Sequence, residues 1–413
     1  MSRQSKTIAI LATLDTKGAE AAFLAEQIVA RDHRPLTIDV GTTAAATSTA
    51  DVPRADLLKN MDAALVQQAN SSDRGAAVAA MGEAAAHALV ELHAAGKVNA
   101  VIAIGGSGGT SLACRAMRAL PLGVPKVMVS TVASGDVSGF VGPKDIVMMP
   151  AIVDLAGLNR ISRGVLSRAA GAACGMAESE PPENGEDRPI IVASMFGNTT
   201  PCVEGARRIL EDAGYEVLVF HATGSGGRTM EELIGAGLVA GVLDITTTEW
   251  ADELCGGVMS AGPTRLEAAA RRGVPAVVAP GCLDMVNFWA PETVPERYRS
   301  RTFYQHNPNV TLMRTDVAEN LRLGEILAEK LNSSQGPLTV LLPLQGMSMI
   351  GKPDGPFHSP AADQALFTSL KERLGEGIEV LELDANINDA AFAERCARAL
   401  LKNINKRNVV QAG

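Results

Sequence analysis

The chemistry in this sequence gathers in short polar turns that follow apolar runs. The clearest is Gly105-Gly106-Ser107-Gly108-Gly109-Thr110, which ends the run Val101-Ile102-Ala103-Ile104. Glycines without Cβ atoms let backbone N–H groups approach a ligand, and the free amides and dipole of a helix running on from Thr110 to Leu120 favour an anion there. A phosphate or carboxylate is the expected guest. The spacing matches neither a P-loop nor a dinucleotide fingerprint, so the turn leaves the kind of ligand open, and a ligand-free strand-to-helix turn is the competing account. Gly105, Ser107 and Gly109 also satisfy the pattern of a nucleophile elbow. A hydrolase would then need a later acid and a histidine, with His221, His306 and His358 available. A run of four glycines meets that pattern easily.

Three further loops carry reactive side chains. In Thr13-Leu14-Asp15-Thr16-Lys17-Gly18, Lys17 can neutralise a phosphate and Asp15 can hold a magnesium ion or a ribose hydroxyl. Equally, Asp15 can cap a helix and Lys17 can stand solvated in its first turn. The small, hydroxyl-rich loop from Thr131 to Gly139 offers Thr131, Ser134, Gly135 and Asp136 to a ligand, and Asp136 is the second magnesium candidate. Farther on, His221-Ala222-Thr223-Gly224-Ser225-Gly226-Gly227-Arg228-Thr229 is another glycine-rich turn, in which Arg228 can pair bidentately with a phosphate or carboxylate. Thr247, Glu249, Asp252, Asp284 and Asn287 stand at neighbouring strand ends as acid/base or metal candidates. Asp252, Asp284 and His306 are the catalytic candidates. His306 and His358 lack C-x-x-C or H-x-x-x-H partners, so zinc has little support.

The elements that must position these loops alternate strand and helix, the mark of parallel α/β sheets. Strands are expected at Thr7 to Ala12, Leu36 to Val40 and Lys126 to Ser130, with helices at Lys17 to Arg31, Gly75 to Gly96 and Asp154 to Met176. An excursion from Thr42 to Asp73, with a short helix around Ala55 to Gln68, is placed to cover the site. Residues 177–189 hold five acids and three prolines and read as a solvated linker between a nucleotide-binding domain, 1–180, and a second domain, 188–413. Beyond the linker the pattern restarts. Ile190 aligns with Ile8 at an offset of 182, which also pairs Asp32 with Gly214 and Asp39 with His221; Thr246 aligns with Gly105 at 141, and Pro275 with Pro125 at 150. The expected fold is therefore two Rossmann-like doubly wound parallel-sheet domains. Ligands belong at the carboxyl ends of such strands, here in a cleft between the halves.

Composition narrows the function. With 413 residues, a net charge of −9, two Trp, three Tyr and nine Phe, the chain lacks the basic footprint and stacking platforms of a nucleic-acid binder. Its six scattered cysteines suit reduced thiols in a cytoplasmic protein, and no apolar run is long enough to span a membrane. The polar start Met1 to Lys6 passes straight into a strand, with no leader expected.

Together these segments resemble the Tm-one-like ATP-binding family, bacterial proteins similar to the N-terminal domain of a tomato protein that confers resistance to tomato mosaic virus. The resemblance rests on Thr13 to Gly18, Gly105 to Thr110, Val129 to Asp136, His221 to Gly227, Asp284-Met285-Val286-Asn287-Phe288 and His306-Asn307-Pro308, and runs nearly the whole length. It implies two Rossmann-like subdomains, ATP as the ligand and a homodimer. It transfers no catalytic residue. The leading expectation is a nucleotide-binding protein, holding ATP, with magnesium where Asp15 or Asp136 provides for it. The alternatives are an enzyme of small-molecule catabolism acting on a phosphorylated or carboxylated metabolite, and an interaction module stiffened by nucleotide.

Overall fold

In this computed structural model, which describes residues 4–43, 48–180 and 187–412, the chain forms two compact units, Met1–Glu183 and Asn184–Gly413. The first runs β1 (Thr7–Ala12), α1 (Leu14–Val29), β2 (Arg34–Asp39), α2 (Arg54–Leu58), α3 (Ala63–Ala69), α4 (Arg74–Ala94), β3 (Ala100–Gly105), α5 (Ser107–Arg118), β4 (Lys126–Ser130), α6 (Ser138–Val141), β5 (Ile146–Pro150) and α7 (Arg160–Glu178). Its five strands pair in parallel in the order β2-β1-β3-β4-β5, a doubly wound order whose switch point lies between β1 and β3. The inner strands are apolar on both faces because helices cover both. Ile8 and Ile10 of β1 pack with Leu24 and Ile28 of α1 and Val165 and Leu166 of α7, while Ala9 and Leu11 pack with Met81 of α4 and Leu112 of α5.

The second unit runs β6 (Ile190–Met195), α8 (Thr200–Asp212), β7 (Glu216–His221), α9 (Ser225–Gly235), β8 (Gly241–Thr246), α10 (Glu249–Cys255), α11 (Glu267–Arg272), β9 (Ala276–Gly281), β10 (Met285–Phe288), β11 (Phe303–Asn307), β12 (Val310–Arg314), α12 (Val317–Asn332), β13 (Leu338–Pro343), α13 (Pro360–Arg373), β14 (Glu379–Leu383) and α14 (Ala390–Ala412). Six parallel strands order β14-β13-β9-β8-β6-β7, and β10-β12-β11 form a small antiparallel sheet. Taken from β7, the large sheet repeats the first one and adds a strand.

The internal repeat is therefore real, with one correction. Ile8 pairs with Ala100 in the first sheet and Ile191 with Gly241 in the second, so β1 maps onto β6 at an offset of 183 rather than 182. A slip of one residue turns every side chain to the other face. Ile191 indeed packs under α8 as Ile8 packs under α1, whereas Val192 faces the opposite core. The offsets of 141 for β3 and 150 for β4 hold, since the pair Val101–Lys126 recurs as Val242–Ala276. Asp32 and Gly214, matched at 182, both have left-handed backbone, with φ of 63° and 93°.

Several boundaries differ for local reasons. α5 starts at Ser107 rather than Thr110, with Gly106 as its N-cap residue, so Ser107, Gly108 and Gly109 form the first helical turn. α1 starts at Leu14, and Lys17 inside it departs from helical geometry. α7 starts at Arg160 rather than Asp154 because Asn159 and Ser162 make a reciprocal capping box. The helix expected at Ala55 to Gln68 is two, α2 and α3, the second capped by Asp62 accepting from the Leu65 amide. Of the expected linker, Ala177 and Glu178 close α7, and 181–186 lie outside the described residues, as do 44–47 of the excursion. No described helix is long and apolar enough to cross a membrane.

Candidate functional site

At the switch point of the first sheet, β3 ends in Gly105 and α5 begins two residues later. A Cβ on Gly105 would stand 2.8 Å from the Gly109 Cα, so only glycine lets the helix start so close to the strand. The N–H groups of Ser107, Gly108 and Gly109 meet no acceptor among the described residues, and Gly106 supplies no side-chain cap. Ser107 is exposed, and Gly106, Gly108 and Gly109 are partly so. Thr110 is buried, its hydroxyl 2.6 Å from that of Ser130 at the end of β4, which also accepts from the Val132 amide at 3.1 Å. The Thr131 amide donates to the Gly105 carbonyl at 3.2 Å. That bond holds the exposed loop through Thr131, Ser134, Gly135 and Asp136 beside the turn. The Asp136 carboxyl lies below the usual carboxylate range because Ser138 hydrogen-bonds to it. Ser107 has ordinary helical backbone and is absent from the strained left-handed positions of the described residues, so the nucleophile-elbow geometry is not formed.

The Thr13–Gly18 loop is adjacent, since Leu11 pairs with Ala103 two residues before Thr13 and Gly105. Its groups are more occupied. Asp39, the last residue of β2, accepts through Oδ1 from the Leu14 amide at 3.2 Å and the Gly41 amide at 2.9 Å, and so caps α1 from a neighbouring strand. Asp15 accepts from the amide and hydroxyl of Thr43 and from Thr16. Lys17 donates its ammonium to the Leu155 carbonyl. Thr16 stays exposed, its hydroxyl 3.0 Å from that of Thr13.

In the second unit the glycine-rich turn is filled by the protein itself. Glu249 accepts through Oε1 from the amides of Gly224 at 2.8 Å and Gly227 at 3.1 Å, at the start of α9. Its Oε2 takes the Nε of Arg265 at 2.7 Å, and Arg265 grips Asp244 bidentately, both distances 2.6 Å, and reaches Glu231 at 3.2 Å. Burial disfavours the Arg265 charge, and the facing carboxylates outweigh it, so the guanidinium stays protonated. The glycines follow from this packing. A Cβ on Gly227 would sit 2.1 Å from Glu249 Oε2, and one on Gly226 would overlap the His221 carbonyl. The anion expected at this turn is therefore an internal carboxylate. Ser225 is exposed, and Arg228 points to the Ser260 carbonyl at 2.9 Å.

Thr247, Asp252, Asp284 and Asn287 are buried as well. Thr247 donates to the Ala279 carbonyl. Asp252 accepts from the amides of Met259 and Asn287 and from the Asn287 side chain at 2.7 Å, and burial pushes its carboxyl up to about 7, with Glu249 adding to the effect. Asp284 takes the Ser348 hydroxyl at 2.6 Å, and burial raises its carboxyl too. Asp284 Oδ1 and Asn287 Oδ1 are enclosed without a partner among the described residues. His306 lies exposed on β11, an edge strand of the small sheet that also holds β10, and His358 is exposed as well. Among the described residues no three His, Cys, Asp or Glu side chains come together as a metal site. A cavity of about 1100 Å³ opens at the amino ends of β13 and β14, away from every strand-end loop discussed above. Sequence reasoning passed over Asp39, Asp244 and Arg265. Only Asp244 left a signal, an acid inside the apolar run Val242-Leu243-Asp244-Ile245 that must find a buried partner.

Two doubly wound α/β units, one with an open helix N-terminus at its switch point, define the class. The chain belongs to the family described as Uncharacterised protein family (UPF0261), whose N-terminal domain matches residues 6–182 and C-terminal domain residues 188–404. A UPF0261 protein of Clostridium tetani is 45% identical over 403 residues, covering 97% of this chain and 100% of that one. The ToMV resistance protein Tm-1(GCR237) of Solanum lycopersicum is 39% identical over 421 residues, 96% of this chain but 56% of the tomato protein. Among solved structures, UDP-GlcNAc 2-epimerase from Neisseria meningitidis aligns with a TM-score of 0.25 and 11% identity, covering 66% of this chain and 82% of that one. At that level nothing about the site follows.

Proposed function

We propose that the chain is a nucleotide-binding protein that receives phosphates on the first turn of α5, with ATP, the ligand implied by the family resemblance, as the nucleotide. One contrast carries the reading. At the N-termini of α1 and α9 the protein's own carboxylates engage the backbone, Asp39 accepting from the Leu14 amide and Glu249 from those of Gly224 and Gly227, whereas no described side chain accepts from the amides of Ser107, Gly108 or Gly109. Backbone donors at a helix N-terminus left open at a switch point suit a polyanion. Thr16, Thr131 and Ser134 add exposed hydroxyls around it. Asp136, kept ionised by Ser138, is the candidate to meet a magnesium ion arriving with the phosphates, because the oxygens of Asp15 already accept from Thr43 and Thr16. The catabolic-enzyme reading draws no support from Asp252 or Asp284, which are at most 1% exposed. The same proposal places a homodimer in the cytoplasm, to be checked by sedimentation of the purified chain.

Titration calorimetry with ATP, with and without magnesium, on wild type and Gly108→Asp tests it. The added carboxylate would occupy the amides as Glu249 does at α9, so ATP affinity should fall by about tenfold or more while helix stability is kept or improved. Undiminished affinity in the variant would remove the turn from the site.

A further inference from the structure

Asp39 presents a chemical surplus. Capping α1 uses only its Oδ1, and an asparagine would accept from Leu14 and Gly41 equally well, yet the chain places a carboxylate here in a residue 5% exposed. Its second oxygen, Oδ2, accepts from no described residue and is not among the enclosed orphan atoms. Asp39 pairs with Ala12 in the sheet, next to Thr13, and β1 in turn borders β3. The ends of β2 and β3 are therefore two interstrand spacings apart, about 10 Å. That span suits a sugar with one or two phosphates attached. Gly41 leaves room for the capping oxygen, since a Cβ there would lie 3.0 Å from Asp39 Oδ1 and 3.5 Å from Asp15 Oδ1.

A lone carboxylate oxygen repels phosphate and selects hydroxyl donors. We infer that Asp39 Oδ2 accepts a hydrogen bond from a ribose hydroxyl of the ligand whose phosphates lie on α5, so the site selects ribonucleotides over deoxyribonucleotides, bare polyphosphates and sugars phosphorylated at the contacted hydroxyl. This rests on the phosphate reading of α5 and adds the sugar to it. Thr13 and Thr16, at the end of the intervening strand, lie beneath the link between sugar and phosphate.

Calorimetry with ATP, 2′-deoxy-ATP, 3′-deoxy-ATP and inorganic tripolyphosphate, on wild type and Asp39→Asn, separates the two claims. Wild type should bind ATP about tenfold or more tighter than at least one deoxy analogue, the size expected for a charge-assisted bond. Asp39→Asn keeps the capping oxygen; it should erase that ratio and leave tripolyphosphate affinity unchanged. The wild-type ratio needs no variant and stands even if Asp39→Asn folds poorly. Equal wild-type affinity for ATP and both analogues, or a ratio that survives in a folded Asp39→Asn, overturns the sugar assignment while tripolyphosphate binding upholds the phosphate site. Failure of wild type to bind both ATP and tripolyphosphate overturns both.

Discussion

Placing a methyl group on Gly227 and another on Gly108 separates a filled helix N-terminus from an open one. At Gly227 the new Cβ would lie 2.1 Å from Glu249 Oε2 and 2.5 Å from Oε1. That carboxylate cannot step aside without leaving the Gly224 and Gly227 amides and the Arg265 guanidinium, all inside a region no more than 1% exposed at Glu249 and Arg265. Breaking a buried pair of this kind costs about 3–5 kcal/mol. At Gly108 the nearest heavy atom is Val78 Cγ2 at 3.8 Å, an ordinary contact. There alanine gains up to about 1 kcal/mol of helix propensity. Both tryptophans, Trp250 and Trp289, belong to the second unit, so their fluorescence in a urea titration follows that unit alone. With an m-value of about 1–3 kcal/mol/M, Gly227→Ala should lower the fluorescence midpoint by about 1 M or more. Gly108→Ala, followed by far-UV circular dichroism, should hold or raise stability. A Gly227→Ala midpoint equal to wild type would refute the claim that Glu249 is locked at that turn.

Other consequences can be checked directly. The folded Asp252 carboxyl keeps its proton up to about pH 7, and the unfolded one releases it near 3.8, so this group's stabilisation is complete below about pH 4 and is lost as pH rises to about 7, by about 4 kcal/mol. Asp252→Asn should flatten the fall in stability between pH 5 and 7 measured by urea denaturation, and an unchanged slope would count against a raised carboxyl. Gly105→Ala should push the first turn of α5 away from β3 and cost about 1–3 kcal/mol by overpacking, with faster hydrogen exchange in α5 peptides than in α4; wild-type protection would show that the turn tolerates a side chain.

The sequence shows the strands well because each inner strand is a short apolar run stopped by glycine or hydroxyl residues, as at Gly105 and Ser130. Its register is harder. In β1 and β6 both faces are buried, so Ile8 fits Ile190 and Ile191 alike, and only pairing to β3 and β8 decides. β11 escaped notice because residues 304–307 are exposed on both faces and carry no alternation. For the site, local pattern revealed which turns bear glycine, but the reason for the glycine came from afar. Gly227 makes room for Glu249, 22 residues on, whereas Gly105 makes room for its own helix four residues on. The two causes leave the same signature in one dimension.

The duplicated fold shows what an open turn requires. At the place in the second unit that corresponds to Gly105 stands Thr246, followed by Thr247 and Thr248, and all three are fully buried. Their hydroxyls turn to neighbouring groups, Thr246 to Thr199 at 2.8 Å and Thr247 to the Ala279 carbonyl at 3.2 Å. A side chain is tolerated at Thr246 because α10 begins three residues after it, whereas α5 begins two residues after Gly105 and its backbone fills the space a Cβ would need. Early helix start and bare glycine are thus one feature. It directs the first amides of α5 past the strand end toward solvent, where no described side chain accepts from them, while the later start and threonine hydroxyls close the second sheet on itself. The proposed anion site at α5 therefore rests on the geometry of one strand-to-helix step.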